Sequence, residues 1–146
     1  MVSVRPAKPL DFERIYEIEC ACFSTPWEKE LFRDDLERNP DSLWWVAISD
    51  RQIIGFAGLW RQYDEIHIIN VCVLENHRRK GAGSQLVAEL IKKAEEDGAR
   101  LMLLEVRASN TPAQKLYEAF GFKNMYIRKK YYQDNDEDAI VMMRER

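Results

Sequence analysis

Two short stretches carry residue types whose spacing could do chemistry. The first, Arg78-Arg79-Lys80-Gly81-Ala82-Gly83-Ser84, is basic and glycine-containing, and it stands between an apolar β-branched run and an amphipathic one. Backbone amides of such a loop, opening onto a helix N-terminus, can converge on phosphate oxygens, and glycine lets the chain approach without a Cβ in the way. The loop lacks the Lys-Ser/Thr ending of a nucleoside-triphosphate loop and the three glycines of a dinucleotide fingerprint. A solvated basic turn is the competing reading. The second stretch is Leu104-Glu105-Val106-Arg107-Ala108-Ser109-Asn110, followed by Ala113, Leu116 and Tyr117, then Gly121-Phe122. Asn110 and Tyr117 are seven residues apart. That is two turns, or ~10 Å, along one helix face, so both can line one groove. Glu105 sits in an apolar run, where an unpaired carboxylate is costly. Half-burial there is expected to raise its pKa toward what a general base needs at neutral pH. An outward-facing Glu105 with Tyr117 as an ordinary core aromatic is the alternative.

The elements that must position these residues follow from periodicity and turn chemistry. Val2 and Val4 alternate with polar neighbours, which predicts a short edge strand. Asp11 is expected to cap a helix in which Phe12, Ile15, Ile18, Glu19 and Phe23 recur at helical spacing. Ser24-Thr25-Pro26-Trp27 breaks it, and Glu28 to Leu36 predicts a second helix with Pro26 near its first turn. Three strands in a meander follow: Leu43 to Ser49, Gln52 to Gln62 and Glu65 to Leu74. Ser84 to Asp97 predicts a helix closed by Gly98 in a left-handed cap. Leu101 to Val106 reads as a strand buried on both sides. A helix capped by Asn110 or Thr111 ends at Gly121, and strands Phe122 to Tyr132 and Ala139 to Met143 close the chain around the acidic loop Asp134 to Asp138. The order is that of an α+β layer with a mixed sheet.

Composition bounds the function classes. The chain has 146 residues, 22 Lys+Arg against 25 Asp+Glu, and a formal net charge of −3. One domain over residues 1–146 is expected at this length. The charge balance argues against a protein that coats nucleic acid. Uncharged runs such as Ile66 to Leu74 reach nine residues, against the ~20 that a membrane-spanning helix needs. The first residues show no apolar signal core, so a soluble, cytoplasmic chain is expected, with a monomer as the default. Cys20, Cys22 and Cys72 suggest no disulfide pairing, and no metal site follows from His67 or His77. His67 reads as a satisfied sheet histidine, with a groove-facing position as the alternative. Cys72 reads as a small apolar residue in a sheet.

The pattern Arg78-x-x-Gly81-x-Gly83 after Asn70-Val71-Cys72-Val73 resembles the coenzyme A signature of the GNAT family of N-acetyltransferases. The resemblance covers essentially the whole chain. It implies the GNAT fold: a mixed, mostly antiparallel seven-stranded sheet with about four helices packed on both faces. It also implies acetyl-CoA as co-substrate, no metal, a pantetheine-pairing strand at Val71, Cys72 and Val73, and a phosphate loop of Arg79, Lys80, Gly81, Ala82, Gly83 and Ser84.

Further runs narrow the resemblance. Leu104 to Asn110, Ile127-Arg128-Lys129-Lys130-Tyr131-Tyr132, Glu137 to Met142 and Phe23-Ser24-Thr25-Pro26-Trp27 are similar to the ribosomal-protein-alanine N-acetyltransferases of the RimI type. By that resemblance Glu105 is the base that deprotonates the substrate amine, Tyr117 protonates the departing thiolate, and Asn110 holds the cofactor. Direct amine attack on the thioester is implied, with an amide on the pantetheine strand, that of Val73, polarising the carbonyl oxygen. The acceptor is implied to be the N-terminal alanine of a small-subunit ribosomal protein. It would thread between the loop holding Trp27 and the hairpin holding Tyr131 and Tyr132, with acidic Glu28, Glu30 and Asp134 to Asp138 suiting a basic tail. An α-amine, with a pKa near 7.7–8.0, costs roughly 3.5 kcal/mol less to deprotonate than a lysine amine. A broader N-terminal or lysine acetyltransferase and a CoA-binding regulatory module are the rival readings.

Overall fold

Periodicity sets the elements, and their pairing sets the site. The computed structural model covers residues 1–146. In chain order it has β1 (Val2–Pro6), α1 (Phe12–Cys22), α2 (Lys29–Arg38), β2 (Ser42–Ser49), β3 (Gln52–Gln62), β4 (Glu65–Val73) and α3 (Ala82–Glu96). There follow β5 (Leu101–Arg107), α4 (Thr111–Ala119), β6 (Lys123–Tyr132) and β7 (Glu137–Glu145). The sheet has seven strands in the order β1-β2-β3-β4-β5-β7-β6. Only β4 and β5 run parallel, so the expected mostly antiparallel sheet with four helices is the one found. No helix is long and apolar enough to cross a membrane.

Each face of the sheet has its own core. Leu86, Val87 and Leu90 of α3 and Tyr117 of α4 pack with Ala57, Leu59, Ile68 and Leu104 on one face. Phe12, Ile15 and Ile18 of α1 and Phe32 of α2 pack with Trp44, Phe56 and Cys72 on the other. Each fully buried side chain of this size contributes roughly 1.5–3 kcal/mol. The buried carboxylate of Asp35 ties α2 to the sheet. It accepts from Ser42 Oγ at 2.6 Å, Trp60 Nε1 at 2.8 Å, Asn39 Nδ2 at 3.0 Å and Trp44 Nε1 at 3.2 Å. Opposite Trp44 in the register stands Gly58, where a Cβ would lie 2.3 Å from the indole ring.

Several local expectations change. Asp11 does not cap α1; its carboxylate accepts the Lys8 N–H at 2.7 Å and pairs with Arg5 at 2.8 Å. Pro26 lies outside α2, which is capped by Glu28 accepting from the N–H groups of Glu30 and Leu31. Helix α3 starts at Ala82, two residues earlier than the amphipathic pattern implied. Strand β5 is fully buried on one face only: Met102, Leu104 and Val106 are buried, whereas Leu101, Leu103, Glu105 and Arg107 are partly covered. The penultimate strand in the chain, β6, forms one edge of the sheet, with Met125, Tyr126 and Ile127 exposed.

The decisive feature is a divergence. Strands β4 and β5 pair only through Glu65–His67 against Leu101–Leu103. A register shift at Gly58/Leu59 bends β4 where its partners pass from Ile68 to Asn70. Beyond that point β4 continues against β3 and β5 against β7, leaving a gap between them.

Candidate active site

Where β4 and β5 part, a cavity of about 340 Å³ opens. Glu105 of β5, Asn110 and Tyr117 of α4, Val71 of β4, Trp27, and Tyr131 and Tyr132 of β6 all line it. The structure therefore brings these seven sequence-predicted residues to one site. It does not bring Cys72 there: that side chain is buried on the opposite face among Phe12 and Phe56. Val73 packs against the α3-side core, and the segment 79–84 lies beyond the end of β4.

Glu105 is paired. Its Oε1 lies 2.8 Å from His67 Nε2, and the two side chains are 9% and 32% exposed, so the contact is shielded but open to the cavity. Burial pushes the carboxyl up, but the hydrogen bond and charge of His67, helped by Arg128 and Tyr131, outweigh it and hold Glu105 below the usual carboxylate range. This reverses the expected direction, because a burial argument counts desolvation and omits the partner. His67 itself is no simple sheet residue; it lines the cavity, with its ring 5.8 Å edge-on from Trp60.

Tyr117 is buried, its ring 5.7 Å from Phe122. Burial drives its phenol well above the ordinary range, so it keeps its proton and can donate it. Burial and the Glu105 carboxylate also push Tyr131 up. Burial raises Tyr132 to about 12, against the opposing pull of Arg107. Trp27 is held from several sides. Its ring is 5.5 Å from Phe32 and 6.0 Å from Trp60, its N–H donates to Glu19 Oε2 at 3.1 Å, and its carbonyl accepts from Tyr16 Oη at 2.8 Å.

At the far end of β4, Gly81 occupies the N-cap of α3 with φ +82°, and nothing lies within 4 Å of where its Cβ would be. No side chain caps this helix, and its first internal bond is Gln85 N–H to Gly81 O. The amides of Ala82, Gly83 and Ser84 thus keep the unfilled donor capacity of a helix N-terminus. Arg79 and Lys80 are exposed beside them, with Lys80 Nζ 3.2 Å from His77 Nδ1. Asn110 caps α4 through its carbonyl oxygen, which accepts the Ala113 N–H at 3.2 Å, leaving its amide nitrogen to donate.

Backbone geometry adds a donor inside the gap. The Leu74 N–H bonds to Ile54 O on β3. Successive N–H groups of a strand alternate in direction, so the Val73 N–H points the other way, toward β5.

Sequence reasoning missed Glu19, Asn70 and Arg107. Glu19 is buried, and burial raises its carboxyl while the Trp27 N–H partly offsets this. It also accepts from Asn70 Nδ2 at 3.1 Å. A charged residue within the apolar series of α1 was the available signal. The acidic residues near the entrance are largely engaged within the chain: Glu28 caps α2, Glu30 pairs with Arg33, Asp134 and Glu137 with Arg107, and Asp138 with Lys129. They hold the walls in place, and a basic tail finds mainly Asp136 free.

The pattern that defines the acetyltransferase (GNAT) family matches residues 12–122. A Haemophilus influenzae protein named ribosomal protein bS18-alanine N-acetyltransferase is 37% identical over 145 residues, covering 97% of each chain. The Escherichia coli K12 protein of the same name is 32% identical over 144 residues, covering 97% of this chain and 96% of that one. The crystal structure of the ribosomal-protein-S18-alanine N-acetyltransferase from Escherichia coli superposes with a TM-score of 0.90 at 31% identity, over 99% of this chain and 94% of that one.

Proposed function

Because the chain belongs to the acetyltransferase (GNAT) family, we propose that it moves the acetyl group of acetyl-CoA to the α-amine of a protein beginning with alanine. The acceptor by this reading is ribosomal protein bS18, the protein in the names of its relatives. Residues 1–146 act as one catalytic domain. The observation that carries the reading is the Glu105–His67 pair at the base of the cleft, with Tyr117 lining the same cavity.

The chain's own groups suit each step. The uncapped α3 N-terminus, with Gly81 opening the backbone and Arg79 and Lys80 adjacent, suits a pyrophosphate. The strand-free side of β4 from Val71 to Val73 suits the amide-bearing pantetheine arm, and the Asn110 amide nitrogen can hold it from α4. When bound, acetyl-CoA supplies a thioester carbonyl activated toward nucleophiles. The neutral amine forms the new C–N bond as the C–S bond breaks. The Val73 N–H is placed to stabilise the developing oxyanion. Glu105, ionised at neutral pH, takes the amine proton directly or through a water, with His67 Nε2 2.8 Å away to share it. Tyr117 gives its proton to the leaving sulfur.

The test is acetyl transfer to a synthetic bS18 N-terminal peptide whose lysines are blocked. Gain of one acetyl group on the α-amine, located by tandem mass spectrometry, is the expected result. Acetylation confined to free lysines would favour the lysine-directed rival. Binding of acetyl-CoA with no turnover on either peptide would make the chain a CoA-binding module.

A further inference from the structure

The cleft has two walls, and one line of side chains spans them. Arg107 lies two residues beyond Glu105 on the same face of β5, so their Cα atoms are ~7 Å apart along one strand. Its guanidinium sits 4.0 Å from the centroid of the Tyr132 ring and pairs with Asp134 at 2.9 Å and Glu137 at 3.3 Å. The carboxylate oxygen of Asp134 that meets Arg107 also accepts from Ser24 Oγ at 2.6 Å. Ser24 belongs to the opposite wall, between the cavity-lining residues Phe23 and Thr25.

The backbone does not hold this hairpin by itself. The β6–β7 ladder is interrupted between Arg128 and Tyr132 and resumes at a single pair, Tyr132 with Glu137. Lys130 and Asp136, on either side, are both in the left-handed region, at φ 50° and 57°. The placement of Tyr131 and Tyr132 relative to Glu105 thus falls to side chains, and Arg107 makes the stacking contact and both ion pairs from the strand that carries Glu105.

We infer that Arg107 is a positioning residue for the acceptor peptide, and that the Ser24–Asp134 hydrogen bond is the latch that sets the width of the peptide entrance between the two walls. The inference rests on the peptide-acetylating reading of the cleft. Arginine is required because its planar fork can stack on Tyr132 while meeting two carboxylates, which a lysine cannot do. The latch is a single exposed hydrogen bond between side chains of the two walls, so its loss frees their spacing without touching the core behind either wall.

Steady-state kinetics with the bS18 peptide, together with hydrogen–deuterium exchange on the free protein, tests this. Arg107→Lys should raise the KM for peptide about tenfold. Ser24→Ala and Asp134→Ala should each raise it about threefold or more. The KM for acetyl-CoA and kcat at saturating peptide should move less than about twofold in Ser24→Ala, a split that general loss of structure would not produce. Ser24→Ala should add little in the Asp134→Ala background. In the free protein, Ser24→Ala should speed exchange in both segment 23–27 and segment 131–137. An unchanged peptide KM in Arg107→Lys and Ser24→Ala, or faster exchange confined to 23–27, overturns the inference. Should wild-type protein acetylate no peptide, the functional reading fails, and the exchange data still decide whether the latch exists.

Discussion

His67 is the last residue of β4 paired with β5, and Glu105 stands two residues past its partner Leu103, so their 2.8 Å contact closes the floor of the gap where the strands part. His67 is what holds the Glu105 carboxyl low against the upward push of burial. Wild-type log kcat/KM should therefore rise with a slope of about one below pH ~8, reporting only deprotonation of the α-amine. In His67→Ala the largest lowering influence on Glu105 is gone, Arg128 and Tyr131 remain, and the folded pKa of Glu105 rises. The ionised base is then lost at a higher pH than in the wild type, and the low-pH slope should steepen above one. A pH–rate profile of the two proteins checks this; identical slopes would remove His67 from the base assembly.

Glu105→Gln keeps the shape and removes the base, so kcat/KM should fall by roughly 10²–10⁴. Tyr117→Phe removes only the proton donor and should lower kcat by a factor within the same approximate range. Calorimetric titration should find acetyl-CoA affinity within about threefold of wild type in both, since neither phosphate nor pantetheine contacts are touched.

The phosphate loop makes a different prediction. A Cβ at Gly81 meets open space, but its φ of +82° costs an L-residue about 1–2 kcal/mol. Gly81→Ala should raise the KM for acetyl-CoA and leave the peptide KM near its original value. Replacing Arg79 and Lys80 by Gln should raise the acetyl-CoA KM at low salt and flatten its salt dependence, because the charge attraction being screened is gone.

Asp35→Ala leaves the Trp60 indole N–H and the Ser42 hydroxyl without their acceptor, while the Trp44 N–H keeps its 2.7 Å bond to Ser42 Oγ. The expected loss is about 3 kcal/mol, seen as a lower urea midpoint at unchanged m. Gly58→Ala, whose Cβ would enter the Trp44 ring, should cost roughly 1–3 kcal/mol.

The Arg5 hydrogen bond holds Asp11 below the ordinary carboxylate range, opposed by burial and assisted by the Lys8 N–H. Its contribution is present above the unfolded pKa of about 3.9 and disappears as pH falls through the lower folded value. The Tm difference between wild type and Asp11→Asn should therefore be full at pH 6 and shrink below about pH 4. A difference that is constant across that window would show that the ion pair contributes nothing.

Much of this molecule is written locally. The apolar, β-branched runs of β2 to β4, the helical spacing of Leu86, Val87, Leu90 and Ile91, and the glycines at 81 and 98 are each local in the chain, so the elements and the phosphate-suited loop were legible in order and type. Glu105, Asn110 and Tyr117 were legible too, since strand and helix geometry place them within one short β–α unit. What was not legible depends on residues far apart in the chain. The partner of Glu105 is 38 residues away and that of Ser24 is 110 away, and no local pattern encodes either meeting. Whether a buried carboxylate is raised or lowered depends on such a partner, which is why the burial argument gave Glu105 the wrong sign. The same holds for the entrance acids, which composition offers as free charge and packing engages with Arg107, Arg33 and Lys129. Periodic burial is a property of neighbours in sequence and so can be read from it; charge pairing and the parting of β4 from β5 are properties of neighbours in space.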